Sequence, residues 1–199
     1  MNKNAMVLQA VEVLKNGGIV IFPTDTAFGI GCRIDNKDSV DRLFLLRKRK
    51  RDHAMPVLVS SIAMAERYFS ADRGIVTRLM NAYWPGALTI ISECRRDKIY
   101  APIRGCTGNI GLRMPDHVIP LTIIEALQVP ILGSSANFHG EKTPYLFSDL
   151  DHSLIGLVDF VVPGECTVKQ ASTVVDCTVI PIRTVRYGAV RLKERDKQI

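Results

Sequence analysis

A short apolar run that stops abruptly at a proline constrains the fold of this chain more than any other segment. Residues 19–22 are β-branched or aromatic, which is typical of a strand. Pro23 cannot donate a hydrogen bond to a neighbouring strand, so the strand has to end there. Three short polar side chains follow at positions 24–26, and then come Gly29 and Gly31, where the backbone could adopt a positive φ or approach a ligand. The segment predicts either a pocket for a small polar ligand or an ordinary strand-to-loop junction.

The composition is that of a globular protein with a substantial core. The chain has 199 residues, of which 47% are hydrophobic and 23% are charged, and it contains no internal repeat. We expect one domain over residues 1–190, followed by a solvated tail over residues 191–199. No apolar run approaches the ~20 residues of a membrane span, and the N-terminus lacks the apolar region of a signal peptide.

The cysteines indicate the redox environment of the protein, and its net charge indicates the class of its binding partners. The five cysteines are scattered and form no Cys-x-x-Cys pair, and the four histidines show no ligand spacing. We therefore expect a reduced, cytoplasmic protein with no structural zinc site and no membrane association. The formal net charge of +6 and the isoelectric point near 9.2 favour anionic partners such as nucleotide, phosphate or nucleic acid.

Helices and strands are predicted to alternate along the chain. The helices are predicted over residues 6–15, 62–69, 75–83 and 116–127, the last with Pro120 tolerated only near its first turn. A further helix is predicted with Asp38 or Ser39 as its N-cap, with Val40, Leu43 and Phe44 facing inward, and with the basic run at its C-terminal end. The strands are predicted over residues 19–22, 57–59, 87–92, 110–114, 130–134, 160–162, 173–177 and 184–187. This alternation predicts an α/β fold around a mixed sheet.

A second apolar strand runs directly into polar side chains. Residues 130–134 lead into Ser135 and Asn137, whose hydroxyl and amide groups suit phosphate or ribose oxygens. Open α/β sheets bind ligands at such strand ends. The alternative is a simple Asx or Ser turn after a strand.

The third signal is the basic run Arg47-Lys48-Arg49-Lys50-Arg51. Guanidinium groups suit the oxygens of triphosphates and carboxylates. The alternatives are a solvated basic end of the preceding helix, favoured by the helix dipole, and a surface that binds RNA.

Eight separated motifs together carry a resemblance to a known family. They are Pro-Thr-Asp-Thr at 23–26 with Phe-Gly-Ile-Gly at 28–31, Arg-Lys-Arg at 47–49, Trp-Pro-Gly at 84–86, Gly-Leu-Arg-Met-Pro at 111–115, Ser-Ser-Ala-Asn at 134–137, Val-Pro-Gly-Glu at 162–165, Ser-Thr-Val-Val-Asp at 172–176 and Val-Arg-Tyr-Gly at 185–188. In this order they resemble the YrdC/Sua5 family of threonylcarbamoyl-AMP synthases, in its short, single-domain type.

The resemblance implies an α/β domain with a twisted mixed sheet flanked by helices and a basic, concave cavity. It implies a nucleotidyltransferase that converts L-threonine, bicarbonate and ATP into threonylcarbamoyl-adenylate and pyrophosphate, with Mg²⁺ accompanying the triphosphate. Partner proteins would then transfer the threonylcarbamoyl group to an adenosine of tRNA.

The resemblance also assigns candidate site residues. The ATP and phosphate contacts fall on Arg47, Arg49, Arg113, Ser135, Asn137, Ser172 and Arg186. The threonine contacts fall on Thr24, Thr26 and Thr173. No residue is assigned as a metal ligand or a covalent nucleophile. Three features depart from the usual pattern: Arg47 replaces a lysine, residues 103–109 lack the Thr-x-Gly expected before the strand that carries Arg113, and His139 replaces a small residue.

The residues themselves are consistent with catalysis by positioning and charge. The chain has no Gly-x-x-x-x-Gly-Lys loop, so side-chain cations and strand-end donors would have to hold a triphosphate. Two other classes remain open at this point: a non-catalytic YrdC-like RNA-binding module, and a domain that transfers or hydrolyses carbamoyl groups. Aromatic side chains that could stack on bases are absent from residues 47–51, which weakens the RNA-binding alternative.

Overall fold

The computed structural model describes residues 3–70 and 74–193, and the elements below are those of the described residues. The α-helices are Lys3–Lys15 (α1), Lys37–Leu46 (α2), Ile62–Glu66 (α3), Gly74–Tyr83 (α4), Val118–Leu127 (α5) and His152–Ile155 (α6). The strands are Val20–Phe22 (β1), Gly29–Gly31 (β2), Val57–Leu58 (β3), Leu88–Glu93 (β4), Asn109–Arg113 (β5), Ile131–Leu132 (β6), Ser134–Ser135 (β7), Phe160–Val161 (β8), Thr173–Asp176 (β9) and Arg183–Arg186 (β10).

The strands form two mixed sheets. The smaller sheet has the order β7-β2-β1-β8, in which β1 pairs antiparallel with β2 and parallel with β8. The larger sheet has the order β10-β9-β4-β5-β3-β6, in which β4 pairs antiparallel with β5 and parallel with β9. The mixed α/β fold is confirmed, but the sequence pattern predicted one sheet and the strands divide between two.

The division occurs at Gly133. We predicted a single strand over residues 130–134, and the structure breaks it into β6 of the larger sheet and β7 of the smaller sheet. A Cβ atom at Gly133 would lie 2.3 Å from Cγ of Leu58, so only glycine fits where the chain crosses between the sheets. The crossing carries the two serines of β7 to the junction of the sheets.

The second glycine of the Phe-Gly-Ile-Gly motif serves packing within the protein. Gly31 ends β2 with an ordinary negative φ, and a Cβ atom there would lie 1.8 Å from the carbonyl oxygen of Leu132. The expectation that a ligand or a positive φ requires this glycine is therefore wrong. The strand β2 was not predicted, since a three-residue Gly-Ile-Gly segment has weak strand propensity.

Helix α2 is capped two or three residues earlier than predicted. Asn36 is its N-cap, and the side-chain oxygen of Asn36 accepts a hydrogen bond from the backbone nitrogen of Ser39 at 3.0 Å. Neither Asp38 nor Ser39 caps the helix; Asp38 instead lies in the first turn, where a negative charge is favourable. The helix ends with Arg47 as its C-cap, so the basic run starts where the helix stops.

Two other predicted helices are shorter than expected. The segment predicted over residues 62–69 is helical only as α3, and the one predicted over residues 116–127 begins at Val118 after the N-cap His117. Pro120 falls in the first turn of α5, where a proline is tolerated, as predicted. Of the predicted tail, residues 194–199 lie outside the described residues, and the domain boundary at residue 190 stays a prediction.

One continuous hydrophobic core supports both sheets. Its largest fully buried side chains include Phe22, Phe28, Phe44 and Leu14, contributed by β1, the following loop, α2 and α1. In the part of the chain that the structure covers, no helix has both the length and the apolar character needed to span a membrane.

Candidate functional site

A polar cavity of about 160 Å³ lies where the two sheets meet. The sequence-predicted residues that line it are Thr24, Thr26, Arg47, Arg49, Arg113, Ser135, Ser172 and Arg186. Residues that the sequence reasoning did not assign also line it: Ala27, Phe28, Gly29, Pro56, Leu58, Thr89, Gly133, Ser134, Thr143 and Ala171. Only Asn137 and Thr173 among the predicted residues are absent from the lining.

The four cavity arginines are oriented in the same way. In each of them the Nε atom donates a hydrogen bond to a main-chain carbonyl oxygen. The acceptors are Asn137 for Arg47 (2.9 Å), His53 for Arg49 (3.0 Å), Gly86 for Arg113 (2.9 Å) and Ser172 for Arg186 (3.0 Å). A fixed Nε leaves the terminal nitrogens to bind other groups, and a lysine could not reproduce this arrangement.

Arg47 is a buried cation with only neutral acceptors around it. Its residue is 2% exposed, and no carboxylate of the described residues lies within ion-pair distance. Its Nη2 atom lies 3.5 Å from Oδ1 of Asn137, and its Nη1 atom has no hydrogen-bond partner among the described residues. Burial, and secondarily the charge of Arg49, lowers the pKa of Arg47 to about 10. A buried cation of this kind is stabilised by an anion.

Arg49 and Arg186 add two further cations without carboxylate partners in the described part of the chain. The Nη2 atom of Arg49 donates to the carbonyl oxygen of Ala54 at 2.6 Å, and that of Arg186 donates to Oγ of Ser172 at 2.9 Å. Burial lowers the pKa of both guanidinium groups. The cavity therefore concentrates positive charge that the protein itself does not neutralise.

Arg113 differs from the other three because it has an acidic partner. Its Nη2 atom forms a buried ion pair with Oδ1 of Asp25, and its Nη1 atom donates to Oγ1 of Thr26 at 2.7 Å. Burial lowers the pKa of Arg113, and the charge of Asp25 opposes that shift. Oδ2 of Asp25 is buried without a hydrogen-bond partner among the described residues. The sequence placed Asp25 beside the site but assigned it no role.

The hydroxyl groups of the first motif shape one wall of the cavity. Oγ1 of Thr24 donates to the carbonyl oxygen of Ala27 at 2.7 Å and lies 3.1 Å from Oγ1 of Thr26. These contacts form a local side-chain turn. The alternative interpretation, an ordinary strand-to-loop junction, is therefore partly correct for Thr24. The same wall still lines the cavity and connects to Arg113 through Thr26.

A second group of hydroxyls lies across the cavity. Oγ of Ser172 lies 2.9 Å from Oγ1 of Thr89, a β4 residue that the motifs did not include. Ser135 lines the cavity from β7, where it pairs with Gly29 of β2. Oγ of its neighbour Ser134 is buried without a hydrogen-bond partner among the described residues. The cavity thus combines guanidinium groups with hydroxyls that can both donate and accept.

Asn137 lies behind the cavity wall. Besides receiving hydrogen bonds from Arg47, it donates through Nδ2 to the carbonyl oxygens of Phe138 (2.9 Å) and Glu141 (2.8 Å). The geometry makes it a support for Arg47 and for the loop that follows β7.

Thr173 also lies outside the cavity. Its Oγ1 donates to the carbonyl oxygen of Val190 at 2.6 Å and accepts from the backbone nitrogens of Gly188 (3.0 Å) and Val190 (3.1 Å). Its residue is 1% exposed. The hydroxyl fastens the segment after β10 to the larger sheet, so Thr173 is not brought together with Thr24 and Thr26.

The basic run divides among different environments. Arg47 is buried at the cavity and Arg49 is half-buried at its edge, whereas Arg51 is exposed and binds Asp41 at 3.1 Å outside the cavity. Lys48 has a φ of 52°, which turns the chain between the two cavity arginines. Part of the basic run therefore lines the cavity, and part of it is a solvated helix end.

A second cleft of about 420 Å³ adjoins the cavity and shares Arg49, Pro56, Thr89 and Arg186 with it. Apolar side chains of the larger sheet line it, including Ile91, Val174 and Val185. The arginines at positions 104 and 183 lie at its edge together with two aspartates, at 52 and 176. This second cleft offers an apolar surface next to the charged cavity.

Known proteins share this architecture. A threonylcarbamoyl-AMP synthase of Bacillus subtilis (strain 168) is 31% identical over 175 residues, which cover 86% of this chain and 50% of that protein. The uncharacterized protein YciO of Escherichia coli (strain K12) is 27% identical over 189 residues, which cover 94% of this chain and 91% of that protein. The crystal structure of P. abyssi Sua5 complexed with L-threonine matches with a TM-score of 0.86 at 26% identity, over 94% of this chain and 55% of that one.

These matches define the extent of the similarity. The chain spans about half the length of the threonylcarbamoyl-AMP synthases of B. subtilis and P. abyssi, and nearly the full length of YciO. The family model Sua5_yciO_yrdC, described as telomere recombination, matches residues 12–188, which include both sheets and every residue that lines the cavity. The chain therefore belongs to the Sua5/YciO/YrdC family.

Proposed function

We propose that this protein is an L-threonylcarbamoyladenylate synthase, which uses L-threonine, bicarbonate and ATP to form threonylcarbamoyl-adenylate and pyrophosphate. The observation that carries the proposal is the set of three cavity arginines, at positions 47, 49 and 186, that have no carboxylate partner in the described chain. Such a set suits a polyphosphate. The name of the B. subtilis relative and the threonine complex of P. abyssi Sua5 support the same reaction.

The charge distribution suggests which part of the cavity each substrate would occupy. Arg47, Arg49 and Arg186 would neutralise the triphosphate, with the hydroxyls of Ser135 and Ser172 as further contacts. The family resemblance assigns Arg113 to phosphate as well. Because Asp25 already offsets its charge and Thr26 contacts it, Arg113 suits the single negative charge of the threonine carboxylate better.

The adjoining cleft would accept the adenosine part of ATP. A cavity of about 160 Å³ is below the roughly 300–1,000 Å³ of typical ligand pockets, so the whole nucleotide does not fit there. The second cleft adds about 420 Å³ and begins at Arg49 and Arg186. Its apolar lining by Ile91, Val174 and Val185 suits the face of a base.

The reaction needs positioning and charge neutralisation more than a reactive side chain. The threonine amine attacks the carbon of bicarbonate, water leaves, and the product is a carbamate. A carbamate oxygen then attacks the α-phosphorus of ATP, and the bond between the α-phosphorus and the α,β-bridging oxygen breaks so that pyrophosphate leaves with its electron pair. The unpaired guanidinium groups would stabilise the charge that develops on the phosphoryl and leaving oxygens.

Mg²⁺ would arrive as part of the nucleotide complex. It requires oxygen ligands, and the oxygens along the cavity belong to hydroxyls such as those of Thr26 and Ser135. The carboxylate next to the cavity, that of Asp25, is already bound to Arg113. The ATP phosphates, rather than a protein cage, would therefore hold most of the coordination sphere.

The product would pass to proteins that transfer the threonylcarbamoyl group to tRNA. Threonylcarbamoyl-adenylate is a mixed anhydride, so it suits prompt use by a partner that binds tRNA. The odd number of scattered cysteines fits a reduced, cytoplasmic setting for this step.

Pyrophosphate release from ATP tests the proposal. We expect release that requires both threonine and bicarbonate, with serine used more weakly because one methyl group discriminates by only about 1–3 kcal/mol. Release without amino acid, or no release from folded protein, would overturn the proposal. If RNA bound tightly and in a salt-dependent way while release stayed absent, the non-catalytic RNA-binding module would be the better assignment.

A further inference from the structure

The buried pair of Asp25 and Arg113 sets one part of the cavity apart from the rest. Asp25 is 2% exposed and Arg113 is 6% exposed, and their ion pair lies next to Thr26. The hydrogen-bond partners of the other three cavity arginines within the described chain are carbonyl oxygens, a hydroxyl and the imidazole of His139, and none is a carboxylate. The cavity therefore contains a strongly cationic part and a part whose charge is largely balanced.

We propose that Asp25 is a positioning residue that makes the Arg113 part of the cavity select a carboxylate over a polyphosphate. The proposal rests on the proposed function, in which threonine and ATP must bind side by side. Without Asp25, all four guanidinium groups would attract the triphosphate, and the amino acid would compete with it for Arg113.

The hydrogen bonds of Arg113 agree with this role. A guanidinium has five N–H donors, and the contacts to Gly86, Thr26 and Asp25 use one on each of its three nitrogens. One N–H remains on each terminal nitrogen, which matches the two oxygens of a single carboxylate.

The charges of Asp25 and Arg113 also favour a monoanion over a polyanion. A guanidinium paired with Asp25 presents little net charge to a ligand, so a monoanion gains directional hydrogen bonds while a polyanion gains little additional Coulomb attraction. Arg47 presents the opposite case, since nothing in the described chain neutralises it.

Calorimetric titration with L-threonine and with inorganic tripolyphosphate tests the role of Asp25. In Asp25→Asn, we expect tripolyphosphate affinity to rise by about tenfold or more and threonine affinity to change by less than about threefold, because an unscreened guanidinium adds more Coulomb attraction to a polyanion than to a monoanion. Tripolyphosphate should also displace threonine from the variant but not from the unmodified protein. A merely structural role would weaken both ligands together or leave both unchanged, and either result would overturn the proposal.

Asp41→Asn is the matched control. Asp41 also pairs with an arginine, Arg51, and also has a carboxylate oxygen that is buried without a hydrogen-bond partner among the described residues, but it lies outside the cavity. We expect both affinities in this variant to stay within about twofold of the unmodified protein.

A second variant keeps the test decisive if Asp25→Asn does not fold. Asp25→Asn combined with Arg113→Gln removes both buried charges together, which is tolerated better than removing one. We expect threonine binding to be lost and tripolyphosphate binding to stay within about twofold. A parallel loss of tripolyphosphate would show that Arg113 binds phosphate and would overturn the role of Asp25. Failure of the unmodified protein to bind threonine would instead overturn the proposed function, and this inference with it.

Discussion

Nε of Arg47 donates a hydrogen bond to the main-chain oxygen of Asn137 at 2.9 Å, which joins the end of α2 to the loop after β7. The two residues are 90 positions apart in the chain, and both are buried. The contact fixes the plane of the guanidinium at the point where the cavity meets the basic run. We therefore expect substitutions at Arg47 and Asn137 to affect the use of ATP.

Arg47→Lys is expected to lower kcat/KM for ATP by about tenfold, even though lysine keeps the positive charge. A lysine has no Nε–H equivalent to hold the carbonyl oxygen of Asn137, and its single ammonium cannot replace the terminal nitrogens. Steady-state kinetics with ATP as the varied substrate measure the effect. A several-fold rise in kcat/KM would mean that the cavity has not adapted to arginine.

Asn137→Ala is expected to act on stability and on ATP affinity together. The change removes two hydrogen bonds to the loop carbonyls of Phe138 and Glu141 and should lower the free energy of unfolding by about 1–3 kcal/mol. Asn36→Ala removes a comparable hydrogen bond, the N-cap at the far end of α2, and is the control. Denaturation and ATP titration should show a stability loss in both variants and a loss of ATP affinity only in Asn137→Ala.

Arg49→Ala is expected to reduce kcat/KM for ATP by about ten- to hundredfold without unfolding the protein, because it removes charge-assisted contacts worth about 1.5–3 kcal/mol. Arg51→Ala is the matched control, since Arg51 belongs to the same basic run but pairs with Asp41 outside the cavity. If Arg49→Ala and Arg51→Ala both kept the kcat/KM of the unmodified protein, the basic run would act only as a solvated surface.

The pH dependence of polyanion binding should depend on His139. Burial, followed by the charges of Arg49, His53 and Arg47, lowers the pKa of His139 from its ordinary value of 6.5. Its Nδ1 atom lies 3.4 Å from Nη1 of Arg49, so protonation adds positive charge at the edge of the cavity. A bound polyanion favours that charge, and tripolyphosphate affinity should therefore rise as the pH falls below 6.5.

His139→Gln should remove most of this rise, while His152→Gln, at the start of α6 and outside the cavity, should retain it. Titrations at several pH values in one buffer system compare the two variants, and the protonation of tripolyphosphate itself affects them equally. Identical pH profiles would rule out His139 as the titrating group.

The sequence predicted those helices and strands whose ends or buried faces depend on neighbouring residues. The strand before Pro23 and the first-turn position of Pro120 follow from proline geometry, and the buried face of α2 follows from its periodicity. The strand β2 was not predictable in this way, since Gly29–Gly31 is held by close approach to a distant strand rather than by its own propensity.

The candidate site was predictable only where ordered motifs identified it. The partnership of Asp25 with Arg113 joins residues 88 positions apart, and no spacing rule reveals it. Thr173 was assigned from its motif, but its hydroxyl is used by the backbone around Val190, which depends on how the last segment folds back. The division of the basic run likewise depends on the turn at Lys48.

Mass-spectrometric detection of threonylcarbamoyl-adenylate is the most direct test of the proposed reaction. The protein would be incubated with ATP, L-threonine and isotopically labelled bicarbonate, with Arg49→Ala and Arg51→Ala in parallel. We expect labelled threonylcarbamoyl-adenylate from the unmodified protein and from Arg51→Ala, and a strongly reduced amount from Arg49→Ala. Folded protein that binds ATP and threonine but yields no labelled adenylate would contradict the proposed reaction.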